Sequence, residues 1–183
     1  MADRATAAAA RAAERAKYRT LKNMVWGLLA CLGVVALLSL VVYRTPEEKV
    51  RAIDYSAALA DARRTAPYEV LAPEPLASGW QATSARVGAE PGQPFTWHLG
   101  VITPDKKYVG LEQSNATADR FVTDELGDAR EDGTSTVAGV QWQRMQRTDK
   151  DERALVRTAG GATTILTGAV DYGTLESYAT TLR

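Results

Sequence analysis

The sequence is poor in the residues that most often build metal and redox sites. It contains one cysteine, Cys31, and one histidine, His98. A lone cysteine excludes an intrachain disulfide and the paired-cysteine spacings of zinc sites. The motifs GxGxxG, GxxxxGK(S/T), GxSxG and HExxH are also absent. The sequence therefore predicts no metal ion, no cofactor and no catalytic residues of a recognised motif.

The chain also lacks a net charge, since 22 basic residues balance 22 acidic ones. Nucleic-acid-binding domains are usually strongly basic, so we expect no nucleic-acid partner. The balance hides an asymmetry. Residues 1–23 carry six basic and two acidic residues, a net charge of +4, whereas the remaining 16 basic and 20 acidic residues all follow residue 43. A basic end of this kind is typical of contact with an anionic membrane surface.

One long uncharged run separates these two parts. Residues 24–43, MVWGLLACLGVVALLSLVVY, contain six leucines and five valines. As a helix, this run would be about 30 Å long, which matches the hydrocarbon core of a bilayer. Its leucines and valines together favour insertion by about 5 kcal/mol. We therefore predict a transmembrane helix over residues 24–43, with the lipid bilayer as its partner.

The flanks of the run distinguish an anchor from a signal peptide and predict its orientation. A signal peptide has a shorter apolar region followed by small residues at the cleavage site, whereas this run leads into Tyr43, Arg44, Thr45 and Pro46. Basic residues accumulate on the cytoplasmic side of a span. We therefore expect a single-pass protein of the cell membrane, with residues 1–23 as a basic cytoplasmic tail and the C-terminal part outside. The tail is interpreted as a topology signal, with a lipid- or partner-binding helix as the alternative.

The remaining sequence predicts a connector with a short helix over residues 44–66 and an extracytoplasmic α+β domain over residues 67–183. Period-2 patterns and turn residues predict an antiparallel sheet of about six strands, with helices packed on one face. The predicted helices follow Asp54, span residues 115–128 and follow Asp171. The predicted strands are Gln81–Val87, Phe95–Thr103, Tyr108–Gln113, Thr136–Arg147, Arg153–Thr158 and Ala162–Val170.

Few side chains suggest chemistry. His98 lies between Trp97 and Leu99 and therefore points to the opposite strand face, where it is either a structural histidine or a general base. Glu112, on the next strand, is its candidate partner. The acidic run 124–132 is interpreted as a solvated helix end rather than a calcium site, because the EF-hand spacing is absent. No catalytic or metal-ligating residue is assigned. The candidate ligand or partner surface is the sheet face away from the helices, around His98, Glu112 and Gln141.

Four segments carry a resemblance to a known family. They are RTLKNMVWGLLACL (19–32), APYEVLAPEPLASGW (66–80), WHLGVITPDKKYVGLEQSN (97–115) and VAGVQWQRM (137–145). Together they resemble a family of uncharacterised actinobacterial membrane proteins. The resemblance covers roughly residues 19–183 and implies a short basic tail, one membrane helix and one outer domain of unknown function. It implies no catalytic residues.

These observations predict a non-catalytic, membrane-anchored protein of the bacterial cell envelope. Its outer domain would bind a partner protein, a cell-wall component or an apolar ligand, or serve as a scaffold. Two alternatives stay open. One is a small membrane-tethered hydrolase that uses His98 and Glu112, and the other is an accessory subunit of a larger membrane complex.

Overall fold

A computed structural model describes residues 24–39, 51–147 and 149–183. The chain divides into two compact units, Met1–Lys49 and Val50–Arg183. In the first unit, helix α1 covers residues 24–39, and its side chains are exposed. The predicted tail and residues 40–43 of the predicted span lie outside the described residues. Within the described ranges, no helix is both long enough and apolar enough to span a membrane.

The second unit is an α+β domain, which confirms the predicted fold class. Its described residues form three helices and seven strands. The helices are α2 (Ser56–Thr65), α3 (Ala118–Leu126) and α4 (Tyr172–Ala179). The strands are β1 (Gln81–Gly88), β2 (Thr96–Ile102), β3 (Tyr108–Ser114), β4 (Arg130–Val137), β5 (Val140–Arg147), β6 (Glu152–Ala159) and β7 (Ala162–Gly168).

All seven strands form one antiparallel sheet in the order β1-β2-β3-β7-β6-β5-β4. Strands β1–β3 and β4–β7 are two meanders, and the pairing of β7 with β3 joins them. Short turns make each meander. The Gly160-Gly161 turn between β6 and β7 has φ angles of 60° and 82°, as the predicted two-residue hairpin requires. Thr103–Lys106 forms the predicted turn before β3, closed by a bond from Lys106 N to Thr103 O of 2.9 Å.

The helices pack on both faces of the sheet, so the prediction that they share one face is wrong. Leu155 and Leu166 pack in the larger core with α2 and α4. Their sequence neighbours Val156 and Ile165 pack with Phe121 of α3 in a second cluster. Because successive side chains of a strand point to opposite faces, α3 lies on the face opposite to α2 and α4.

The sheet has seven strands where the sequence predicts about six, because the predicted strand Thr136–Arg147 joins the end of β4 to β5 and the rest of β4 is not predicted. The acidic run 124–132 was expected to end a helix, but Glu131 and Asp132 lie in β4. Only Ser135 and Val137 of this edge strand are buried, so it lacks the apolar alternation that identifies a strand. Residues 138 and 139 form the tight turn to β5, and the alanine at position 138 has a φ of 50° that is uncommon for a residue with a side chain.

The extended segment that precedes β1 is fixed to the sheet by one buried glutamine. Gln113 Oε1 accepts a hydrogen bond of 2.7 Å from the backbone N–H of Leu71, and its Nε2 donates one of 3.0 Å to Thr164 Oγ1. Trp97 Nε1 donates to Leu71 O over 3.1 Å. Trp97 and Gln113 therefore point to the face of α2 and α4, and their neighbours His98 and Glu112 point to the face of α3.

Candidate functional site

His98 and Glu112 lie side by side on the α3 face. They are directly paired in the register of β2 and β3. The residues around them in the sequence, Trp97, Leu99 and Leu111, are fully buried in the opposite core. The prediction that this surface lies on a face without helices is wrong, because α3 covers the part of the same face formed by β5, β6 and β7.

A hydrogen-bonded line of three side chains runs across β1, β2 and β3. Nδ1 of His98 is paired with Glu112 Oε1, and Nε2 of His98 lies 2.8 Å from Ser84 Oγ. The His98 and Glu112 side chains each keep 17 % of their surface exposed. Because a carboxylate accepts, Glu112 favours the tautomer with the proton on Nδ1. Neutral His98 then accepts at Nε2 from the Ser84 hydroxyl.

A second hydroxyl, that of Tyr108, reaches the same point of the sheet. Ser84 Oγ and the Tyr108 hydroxyl both lie over Gly100, where a Cβ would collide with Ser84 Oγ and would lie 2.6 Å from the tyrosine oxygen. Glycine at position 100 therefore provides the space in which the two hydroxyl groups meet. Burial, followed by the negative charge of Glu112, raises the pKa of Tyr108, so this hydroxyl keeps its proton at neutral pH.

His98 and Glu112, two members of this line, border an open cleft between the sheet and α3, and Ser84 lies behind His98. Residues of three strands and one helix line it: Arg86, Val87, Gly88, Thr96, His98, Glu112, Phe121 and Glu125. Partial burial, followed by the negative charge of Glu112, raises the pKa of Glu125, and His98 opposes this rise. The cleft therefore combines two carboxylates, one imidazole and one guanidinium with a small apolar wall.

Gln141 lies on the same face but is not part of this cleft. It is exposed on β5, next to the buried Trp142, which points to the other core. Four strand spacings separate β2 from β5 in the sheet order, which corresponds to about 19 Å. Ile165 and Val156, which α3 covers, lie between the two positions. The structure thus brings His98 and Glu112 together and places Gln141 elsewhere.

Metal binding has no support from the described residues, among which no group of three His, Cys, Asp or Glu side chains could hold an ion. Sequence reasoning missed Ser84, Tyr108 and Glu125. In the pairing of β1 with β2, the residue directly opposite His98 is Arg86 and not Ser84. The contact between Ser84 and His98 therefore depends on the register of β1, which a bulge between Ala82 and Ser84 shifts. No local pattern reveals such a register.

The chain was compared with protein families, with curated proteins and with solved structures. Residues 17–182 match the family described as "Protein of unknown function (DUF4245)". No curated protein and no solved structure matches the chain significantly. The match covers most of the chain and confirms that the resemblance is to an uncharacterised family. The chain belongs to the DUF4245 family of proteins of unknown function.

Proposed function

We propose that this protein is anchored in the cell membrane by residues 24–43 and that its extracytoplasmic domain binds an envelope partner in the cleft beside α3. Binding, without catalysis, is the first role we assign to it. The single observation that carries this proposal is the cleft itself, where the fold leaves polar and charged side chains of β1, β2 and β3 accessible.

The anchor is supported by the sequence and by the local structure of its first part. The run 24–43 is uncharged, and six basic residues precede it. Helix α1 presents exposed apolar side chains along residues 24–39, among them Leu28, Leu32 and Leu38. An exposed apolar surface of this kind is typical of contact with a membrane or with another protein. The basic flank favours a cytoplasmic tail and an outer C-terminal domain.

The composition of the cleft favours a partner with polar groups over an apolar ligand. Arg86 offers five donors, whereas Glu112 and Glu125 offer acceptors. Charged groups in a partly water-excluded cleft give specificity, because a wrong partner leaves them unpaired. We therefore expect a protein segment or cell-wall component that carries both a donor and an acceptor.

Site-specific photocrosslinking of the full-length chain in its own membrane tests this proposal. A photoreactive amino acid is placed at Arg86, at Thr96 or at Gln141, and the adducts are identified by mass spectrometry. We expect the same adduct from probes at positions 86 and 96 and no such adduct from a probe at position 141. When the chain with the probe at position 96 also carries His98→Ala, this adduct should be lost. Adducts that are absent, or that are equal at all three positions, would refute the cleft as a binding site.

A hydrolase is the second candidate, because one observation favours it specifically. The hydroxyl of Ser84 lies 2.8 Å from His98 Nε2, on the side of the imidazole opposite to Glu112. A serine, a histidine and a carboxylate in this order form the arrangement that activates a serine as a nucleophile.

A further inference from the structure

We infer that Ser84 is the nucleophile of an esterase site in which His98 is the general base and Tyr108 stabilises the oxyanion. The inference rests on the second candidate function and adds the nucleophile, the oxyanion donor and the substrate class. The substrate class is carboxylic esters with a short acyl chain.

The contacts supply each element of the nucleophile and its base. Ser84 Oγ donates to Nε2 of His98, and the opposite nitrogen, Nδ1, donates to Glu112. Glu112 holds the tautomer that leaves Nε2 free to take a proton, and its charge stabilises the imidazolium that forms. The acceptor of the Ser84 hydroxyl is therefore an imidazole nitrogen, the group that most often serves as a general base.

The reaction balances with water as the only co-reactant. Ser84 Oγ bonds to the ester carbonyl carbon while its proton passes to His98 Nε2. The C–O bond to the alcohol then breaks, and His98 returns the proton to the departing alkoxide, which leaves an acylated Ser84. Water attacks this acyl group, its proton passes to His98, and the bond from Oγ to carbon breaks. The products are a carboxylic acid and free Ser84.

Tyr108 is the side chain placed to stabilise the tetrahedral intermediate. Its hydroxyl lies beside Ser84 Oγ over Gly100, and a tyrosine hydroxyl is protonated at neutral pH and can therefore donate. A donor directed at the developing oxyanion typically contributes a factor of about 100 to 1,000 to the rate. Gly100 is required in this arrangement, since a larger residue would displace both hydroxyl groups.

The walls of the cleft indicate the size of the substrate. Phe121 is the apolar side chain among the lining residues, since Val87 packs against the opposite core, so the cleft offers little apolar surface for a long acyl chain. Thr96 and Arg86 lie on the same rim and suit a polar alcohol portion. Because the cleft is open, the alcohol portion extends into solvent and is not restricted by the site.

Active-site labelling of the full-length chain in detergent micelles tests the inference. A fluorophosphonate probe reacts with activated serines, and peptide mapping locates the label. We expect the label on Ser84, its loss in Ser84→Ala, and a loss of at least 100-fold in labelling rate in His98→Ala. The matched control is Ser56→Ala, which removes an exposed hydroxyl from α2 and leaves labelling unchanged.

Hydrolysis of p-nitrophenyl butyrate supplies the second readout. Tyr108→Phe is expected to lower kcat by about 100-fold and to leave Ser84 labelled, since it removes only the oxyanion donor. Absence of label on Ser84 in the wild-type chain, or ester hydrolysis by Ser84→Ala at the wild-type rate, overturns the inference. Because mapping uses the wild-type chain, this result does not depend on whether a variant folds. The photocrosslinking result is separate, so a cleft that binds without labelling refutes this inference alone.

Discussion

Replacement of Gln113 tests how the outer domain is held together near the cleft. This glutamine is 2 % exposed, and it connects β3 to the segment before β1 and to β7. In Gln113→Leu, the volume of the side chain is kept, but the backbone N–H of Leu71 and the hydroxyl of Thr164 lose their partner. Glu112, the next residue, points to the other face and is left in place.

The expected cost follows from the two groups that lose their bonds. A buried donor or acceptor without a partner costs about 1–3 kcal/mol. Two such groups give a predicted loss of about 2–6 kcal/mol in the free energy of unfolding. This loss is a large part of the free energy of unfolding of a typical domain, which is about 5–15 kcal/mol. Gln113→Glu keeps the acceptor for the backbone N–H of Leu71. It replaces Nε2, which lies 3.4 Å from the carbonyl oxygen of Glu69, with a carboxylate oxygen, so two acceptors then face each other.

Urea unfolding of the full-length chain in detergent micelles, followed by near-ultraviolet circular dichroism, measures these losses. The matched control is Gln143→Leu, which changes a half-buried glutamine of β5 on the other face. We expect its effect to stay below about 1 kcal/mol. For Gln113→Glu, burial raises the pKa of the new carboxyl, so its cost grows as the pH rises. An unfolding free energy for Gln113→Leu equal to that of the wild type would refute the reasoning.

Three further predictions concern charged groups of the outer domain. Glu125→Gln is expected to raise the Tm more at pH 7 than at pH 4. The pKa of Glu125 is raised in the folded state, so the wild type loses stability as the pH rises and Glu125 ionises. Equal Tm shifts at the two pH values would contradict this. Arg144→Met is expected to lower the free energy of unfolding by about 1–2 kcal/mol, because the Arg144 guanidinium lies 2.7 Å from Glu176 on α4. An unchanged urea midpoint would show that this ion pair does not hold the helix. Asp171→Ala is expected to lower the Tm, whereas Asp171→Asn should stay close to the wild type, since the side chain caps α4. The pKa of Asp171 is lowered by this bond, so the remaining advantage of the wild type over Asp171→Asn should vanish in acid as Asp171 protonates, and an advantage that persists in thermal melts at low pH would contradict this.

Much of the sheet was predictable because its first core face has a regular period. Phe95, Trp97, Leu99 and Val101 alternate along the chain and are all buried in one core. The alternation reports which residues share a face, and the turn residues report where a strand ends. These local signals were sufficient for the antiparallel α+β class.

The side of the sheet on which each helix packs was not predictable from such alternation. In β7, Ala162 to Leu166 are all buried because helices cover both faces, but two of these five residues are threonines, so the strand does not form the continuous apolar run that would indicate this. The contact between Ser84 and His98 had no local signal either, since it depends on a bulge and on the loop that sets the register of β1.

The central claim is that residues 24–43 hold the outer domain outside the cell membrane. The most direct test uses a full-length chain with a C-terminal epitope tag, expressed in cells that are converted to intact spheroplasts and treated with protease. The account predicts that the protease removes the tag and that the untreated chain stays in the membrane pellet after carbonate extraction. A tag that survives until the membrane is lysed, or a chain that carbonate releases into the supernatant, would contradict it.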